Sequence, residues 1–179
     1  PIISDIHPLL KGKQHAVSMS WVGNQQTNEI SALSKFSLVK NWKDFSSVAK
    51  EFSVPGQNII YADTAGNIGW RAAALIPIRK EGGSLLPRPG WDPDYDWKGF
   101  IPFEEMPYIY NPKKGYIATA NNKIVDDTFP YYISNQWAEP SRIERIEEYI
   151  QSKEKMSVND MKLLQNDMLS SFAREVPPN

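Results

Sequence analysis

Cysteine is absent from the chain, and only two histidines occur in its 179 residues. The first absence excludes disulfides, thiolate catalysis and cysteine-ligated zinc. The second, together with the lack of any Gly-x-Ser-x-Gly elbow or His-Glu-x-x-His pair, argues against a Ser-His-Asp triad or a zincin site built from this chain alone. His7 and His15 stand alone and read as structural or surface groups. No apolar run approaches the ~20 residues of a membrane span, and no signal peptide is visible. Charge of one sign is also missing: 20 basic residues against 21 acidic give a net charge of −1. Nucleic acid and anionic membranes are therefore unsupported as partners, and Lys11-Gly12-Lys13 and Lys113-Lys114 read as solvated surface.

What is present is globular. Hydrophobic residues make up 41% and charged residues 23%, enough for one core-bearing domain or one large piece of a bigger one. The chain opens Pro1-Ile2-Ile3-Ser4 without Met and stops at Val176-Pro177-Pro178-Asn179. That reads as a segment of a longer protein, although a trimmed ordinary terminus fits equally well.

Residues 15–22 alternate, with Val17, Met19 and Trp21 on one face, and predict a half-buried strand. Ile30, Leu33 and Phe36, then Trp42, Phe45, Val48, Ala49 and Phe52, recur at helical spacing across residues 29–52. Asn41 suits the N-cap of the second helix, with Asp44 three residues on, and Pro55-Gly56 ends it. Residues 58–63 and 67–72 read as two strands. Asp63-Thr64-Ala65-Gly66-Asn67 between them is a hairpin turn, with Gly66 and Asn67 suited to positive φ. Residues 76–112, dense in Pro, Gly and aromatic rings, predict an ordered excursion packed over a sheet. Tyr116 to Ala120 reads as a strand ending in Asn121-Asn122. Two helices close the chain. Glu139-Pro140-Ser141-Arg142 opens one, with an apolar stripe of Ile143, Ile146, Tyr149 and Ile150. Ser157 and Asp160 form a capping-box-like pair on the other, whose buried face would be Met161, Leu164, Met168 and Phe172. The mixture of strands and helices is α+β, without internal repeats.

Three constellations bear on chemistry. Asn121 ends an apolar strand, and an amide is a neutral donor that does not change charge near pH 7, so it can stabilise an oxyanion. On residues alone, a strand-end amide that caps backbone groups is the favoured reading. Arg142, at a helix start downstream, reads equally as a helix-packing residue. Asp92, Asp94 and Asp96 alternate as calcium ligands can, but the loop lacks the Gly and terminal Glu of an EF-hand and reads as a solvated acidic turn. The rings from Trp91 to Phe103 would suit either a core or a stacking platform for a carbohydrate or peptide.

The run Gln57-Asn58-Ile59-Ile60-Tyr61-Ala62-Asp63-Thr64-Ala65-Gly66-Asn67-Ile68-Gly69 resembles the QN-x-x-YAD-x-x-GNIG signature of penicillin acylases and their acyl-homoserine-lactone and cephalosporin acylase relatives. Further elements follow in the same order: Val17 to Trp21, Asn41 to Phe45, Pro87 to Trp91, Trp97 to Phe103, Gly115 to Ile117, Ala120-Asn121-Asn122, Ser141 to Ile146 and Gln165-Asn166-Asp167. The resemblance covers essentially the whole chain. It implies an αββα four-layer sandwich of the N-terminal-nucleophile hydrolases, in which a precursor cuts itself and the new terminal Ser attacks an amide with its own α-amino group as base. Histidine poverty fits that scheme.

By the resemblance, Asn121 is the oxyanion donor and Arg142 holds the polar network of the site. Gln57 falls at a position that lines the acyl pocket in penicillin-G-hydrolysing members, with a polar side chain in place of an apolar one. Pro1-Ile2-Ile3-Ser4 resembles an interior run of the large subunit. The expectation is thus that residues 1–179 are a single internal fragment of that subunit, with the nucleophile, the small subunit and the first part of the large subunit outside it. The fragment alone would be inactive, while the whole protein would hydrolyse N-acyl substrates and be periplasmic or extracellular. The resemblance implies no cofactor. The family's structural calcium takes ligands from both subunits, and the carboxylate that some members supply falls near Tyr131 here, with Asp126 and Asp127 close by; no metal ligand is assigned in this chain. The remaining alternatives are a non-enzymatic binding module using the aromatic loop and a catalytically dead acylase relative.

Overall fold

A computed structural model describes Ile2, Lys11, residues 16–80 and residues 86–175. His7 and His15 lie outside the described residues. The architecture is α+β, as the sequence predicts. Helices α1 (Glu29–Phe36) and α2 (Trp42–Ala49) precede a hairpin of β1 (Gln57–Ala62) and β2 (Ile68–Ala73). The strand β3 (Tyr108–Tyr110) follows, and α3 (Ser141–Gln151), α4 (Val158–Gln165) and α5 (Ser171–Glu175) close the described chain. The sheet is antiparallel in the order β1-β2-β3, with Ile60 opposite Trp70 and Trp70 opposite Ile109.

Local chemistry sets these boundaries. The Asn41 side chain accepts from the Asp44 N–H at 2.9 Å, which caps α2 as expected, and Ser157 with Asp160 completes a capping box on α4. The β1–β2 turn is organised by the Asp63 carboxylate, which accepts from the N–H groups of Ala65 and Asn67, both at 2.9 Å, and from the Asn67 amide at 2.8 Å. Gly66 takes the positive φ of 84°. Asn67 does not share it. Its side chain holds Asp63 and accepts from Asn111 at 2.8 Å, hooking the end of β3 onto the start of β2.

Because strand residues alternate sides, β2 is packed on both faces. Ala73 joins Ala32, Ala49 and Phe52 from the α1–α2 side in one core cluster. The small side chains let the helices lie close to the sheet. On that side the Trp42 ring stacks on Tyr110, with centroids 4.8 Å apart, and meets Tyr61 edge-on. Arg71 is sandwiched between the Phe103 and Tyr108 rings, 4.3 and 4.7 Å from their centroids. On the opposite face Trp70 and Ala72 pack with Ile101 and Met106, flanked by Ile117, Ile124 and Tyr131.

Four expectations need correction. Residues 16–21 form no continuous strand: the described part has one bridge, Ile2 to Ser18, before a 3₁₀ turn at Val22–Asn24. Tyr116 to Ala120 is not a ladder strand, because no described strand lies alongside it. The stripe Met161, Leu164, Met168, Phe172 is not one buried helical face. α4 stops at Gln165, and Met168 is 93% exposed. The Asp167 carboxylate, which accepts from the Leu169 N–H at 2.9 Å, makes a turn there instead. Of the described residues of the aromatic excursion, 76–80 and 86–112, only part packs on the sheet; Trp91 stays 85% exposed.

Two outcomes test this packing. A Cβ on Gly69 would lie 2.2 Å from the Trp42 ring, so Gly69→Ala should destabilise the protein by about 1–3 kcal/mol in denaturant unfolding; an unchanged midpoint would show that the ring yields freely. Hydrogen bonding, first from Tyr61 and then from Asn67, holds the Asp63 carboxyl down at about 2. A folded-state value below the unfolded one contributes stability above the unfolded value and loses it as pH falls towards the folded one. The melting-temperature gap between wild type and Asp63→Asn should therefore narrow between about pH 4 and pH 2. A gap independent of pH would contradict this.

Candidate functional site

The three residues singled out by sequence, Gln57, Asn121 and Arg142, are brought together. They line one cleft of about 530 Å³, between the start of β1, the turn at Thr119 to Asn121, the face of α3, and the segment after α4. Gly56, Asn58, Arg145, Ile146, Asp167 and Leu169 complete much of its wall. All three of the predicted residues are solvent-facing.

Asn121 is fixed by backbone and side chain together. Its φ is +61°, a left-handed conformation that Asn tolerates better than most residues. Its carbonyl accepts from the Ala138 N–H at 2.8 Å. Arg142, in the first turn of α3, donates through Nη2 to the Ala120 carbonyl at 2.7 Å and to Asn121 Oδ1 at 3.0 Å. A guanidinium has donors and no acceptor, so the amide atom facing it must be the oxygen. The Asn121 NH₂ is thereby turned away from Arg142, with two N–H donors to offer.

The rest of the cleft is built by residues the sequence reading did not assign. Asn58 accepts from the Trp70 indole N–H at 3.0 Å, which ties the mouth of the cleft to the sheet core. Thr119 Oγ1 is buried without a hydrogen-bond partner among the described residues. Arg145 donates to the two Asp167 oxygens at 3.3 and 2.6 Å and reaches Glu148 at 2.9 Å. This fork holds the Asp167 carboxyl below the usual carboxylate range, and Asp167 first, then Glu148, raises the Arg145 guanidinium. The pair joins α3 to the segment after α4 and so fixes one cleft wall. Its signal in sequence was the spacing: Arg145 lies three residues after Arg142, on the same side of a helix.

Other candidate groups lie elsewhere. Asp92 accepts from the Asp94 N–H at 3.0 Å, and Asp94 pairs with Lys80 at 2.8 Å. Tyr131 donates its hydroxyl to Glu105, Asp126 accepts from Thr128 at 2.8 and 2.5 Å, and Asp127 pairs with Lys123. Each of these side chains thus has a local partner. No group of three metal-ligating residues converges among the described residues. In the aromatic excursion Arg79 lies over Trp97, and Lys80 and Arg88 flank Tyr95, at 5.5, 5.2 and 5.4 Å. Cations, rather than open faces, therefore surround those rings. Among the described residues no helix is long and apolar enough to cross a membrane.

Known proteins resemble this chain over most of its length. The penicillin amidase family model matches residues 1–179. The acyl-homoserine lactone acylase QuiP of Pseudomonas fluorescens is 35% identical over 147 residues, covering 82% of this chain and 18% of the relative. The penicillin G acylase of Escherichia coli is 30% identical over 151 residues, covering 81% of this chain and 17% of that protein. The structure of a thermostable penicillin G acylase from Alcaligenes faecalis superposes with a TM-score of 0.63 at 29% identity, over 76% of this chain and 24% of that one. The chain thus spans less than a fifth of the length of these curated relatives. Its α+β structure is part of the N-terminal-nucleophile hydrolase fold. With the family model matching the chain from end to end, the chain belongs to the penicillin amidase family of amide hydrolases.

Proposed function

We propose that these residues form the electrophilic half of an amidohydrolase site in a larger acylase. A Ser at the N-terminus of the large subunit, outside residues 1–179, attacks the carbonyl carbon of an N-acyl substrate, such as a β-lactam side-chain amide or an acyl-homoserine lactone. The α-amino group of that Ser accepts its proton through water and passes it to the departing amine. Water then releases the acyl group. The small subunit and the preceding part of the large subunit complete the site, and the protein works in the periplasm or outside the cell.

In this reading Asn121 donates to the oxyanion as the tetrahedral intermediate forms. The observation that carries it is the Arg142 contact to Asn121 Oδ1, which presents the amide donors before substrate arrives. A donor already oriented needs no reorganisation at the moment of reaction, which is where oxyanion stabilisation gains most of its effect. The Arg142 charge sits beside the same amide and favours the developing negative charge. Gln57 shares the cleft with Asn121 and lines the acyl side, where its amide favours an acyl chain carrying a polar group over a bare aromatic ring.

In the processed full-length enzyme, Asn121→Ala should lower kcat for an N-acyl amide about 10²–10³-fold and move KM less than roughly threefold. Asn121→Asp, similar in size but without the donors, should lose as much. A wild-type kcat in either variant would sink the assigned role. Residues 1–179 expressed alone should hydrolyse no N-acyl amide in a chromogenic assay, because the nucleophile is outside them; sustained turnover by the purified piece would overturn the division of the site.

A further inference from the structure

The residue after Asn121 makes two contacts that its neighbours' positions explain. Asn122 Oδ1 accepts from the Ala120 N–H at 3.0 Å, and Asn122 Nδ2 donates to the Lys123 carbonyl at 3.0 Å. An N–H can only donate and a carbonyl can only accept, so both contacts require the same orientation of the Asn122 amide. That amide spans from the residue before Asn121 to the residue after itself. Between those two anchors the backbone turns through the left-handed conformation of Asn121, at φ +61°.

Ala120 is the hinge of this arrangement. It is 8% exposed, and both its peptide groups are held by side chains: its N–H by Asn122 and its carbonyl by Arg142. Side chains take the role of a ladder partner here, since Tyr116 to Ala120 has none among the described residues. A buried N–H left without an acceptor is costly, so removing the Asn122 amide favours a turn in which Ala120 rotates towards water and carries Asn121 with it.

Asn122 itself does not line the cleft. It lines a separate groove on the other side of the turn, with Trp70, Ile117, Lys123 and Ile143. Its side-chain hydrogen bonds go to Ala120 and Lys123 and not to Arg142, so its influence on the reaction would pass through the backbone of Ala120 and Asn121.

We infer that Asn122 is a positioning residue for amide hydrolysis: its side chain clamps the turn that aims the Asn121 donors. This rests on the oxyanion role proposed for Asn121, and a displacement of the donor by an ångström is enough to lower the rate without weakening binding.

The test is a double-mutant cycle in the processed full-length enzyme, with kcat normalised to active sites titrated by a serine-directed sulfonyl fluoride. Asn122→Ala should lower kcat roughly 10- to 100-fold, with KM nearly unchanged. Asn122→Asp keeps the acceptor for the Ala120 N–H and should retain at least about a third of kcat. In an Asn121→Ala background, Asn122→Ala should cost little more, because the donor it aims is already gone. If Asn121→Ala lowers kcat but Asn122→Ala leaves it unchanged, or if the two losses multiply, the positioning role fails while the oxyanion reading survives. If Asn121→Ala leaves kcat intact, both fail. A loss confined to the titrated fraction of active enzyme, with kcat per site unchanged, would mark Asn122 as a folding residue only and overturn the inference.

Discussion

The guanidinium of Arg142 offers N–H groups and nothing else, and the candidate site depends on that limitation. An amide side chain can face a neighbour with either end, and the two choices place opposite chemistry in the cleft. Arg142 removes the choice. By donating to both the Ala120 carbonyl and Asn121 Oδ1, it sets the amide with its donors turned outward, and it does so from the first turn of a helix that is itself anchored. Lysine, with a single mobile ammonium, would not reproduce the two contacts in fixed register.

Everything around that contact serves to hold its two sides at a constant separation. On one side, α3 is joined to the segment after α4 by the Arg145–Asp167 fork, with Glu148 and Arg174 extending the network. On the other, the turn at Ala120 to Asn122 lies beside the face of β2 that carries Trp70 and Ala72, where Ile117 and Ile124 pack. β2 supports that face because its other side is filled by the α1–α2 cluster and by Trp42 against Tyr61 and Tyr110. The cleft is thus a surface feature with one wall fixed by an ion-pair network and the other by the sheet core. This is the geometry expected when polar groups must be positioned before a substrate binds.

The elements legible in the sequence were those whose causes are local. The β1–β2 hairpin follows from the Asp63 to Asn67 turn, and the starts of α2 and α4 follow from Asn41 and Ser157 hydrogen-bonding within one turn of themselves. β3 was missed because three residues are too few to show a period; Tyr108–Tyr110 is a strand only because β2 lies beside it. The apolar spacing persists through Phe172, but α4 ends at Gln165 because Asn166 and Asp167 turn the chain there. The cleft was legible in its named residues, Gln57, Asn121 and Arg142, through family resemblance. Its framework was legible only in the three-residue step from Arg142 to Arg145. The fork between Arg145 and Asp167 joins residues 22 apart in sequence, and the Asn122 clamp shows no pattern beyond an adjacent pair of amides.

In the proposed site the Asn121 amide faces the reacting carbonyl oxygen with its donors already aimed. The most direct measurement is a crystal structure of the processed full-length enzyme in which the nucleophile carries a tetrahedral adduct, such as a boronate. The oxygen of that adduct should lie about 2.7–3.1 Å from Asn121 Nδ2, with Arg142 still bound to Oδ1. An adduct oxygen held by other donors, with the Asn121 amide turned away from it, would contradict the account.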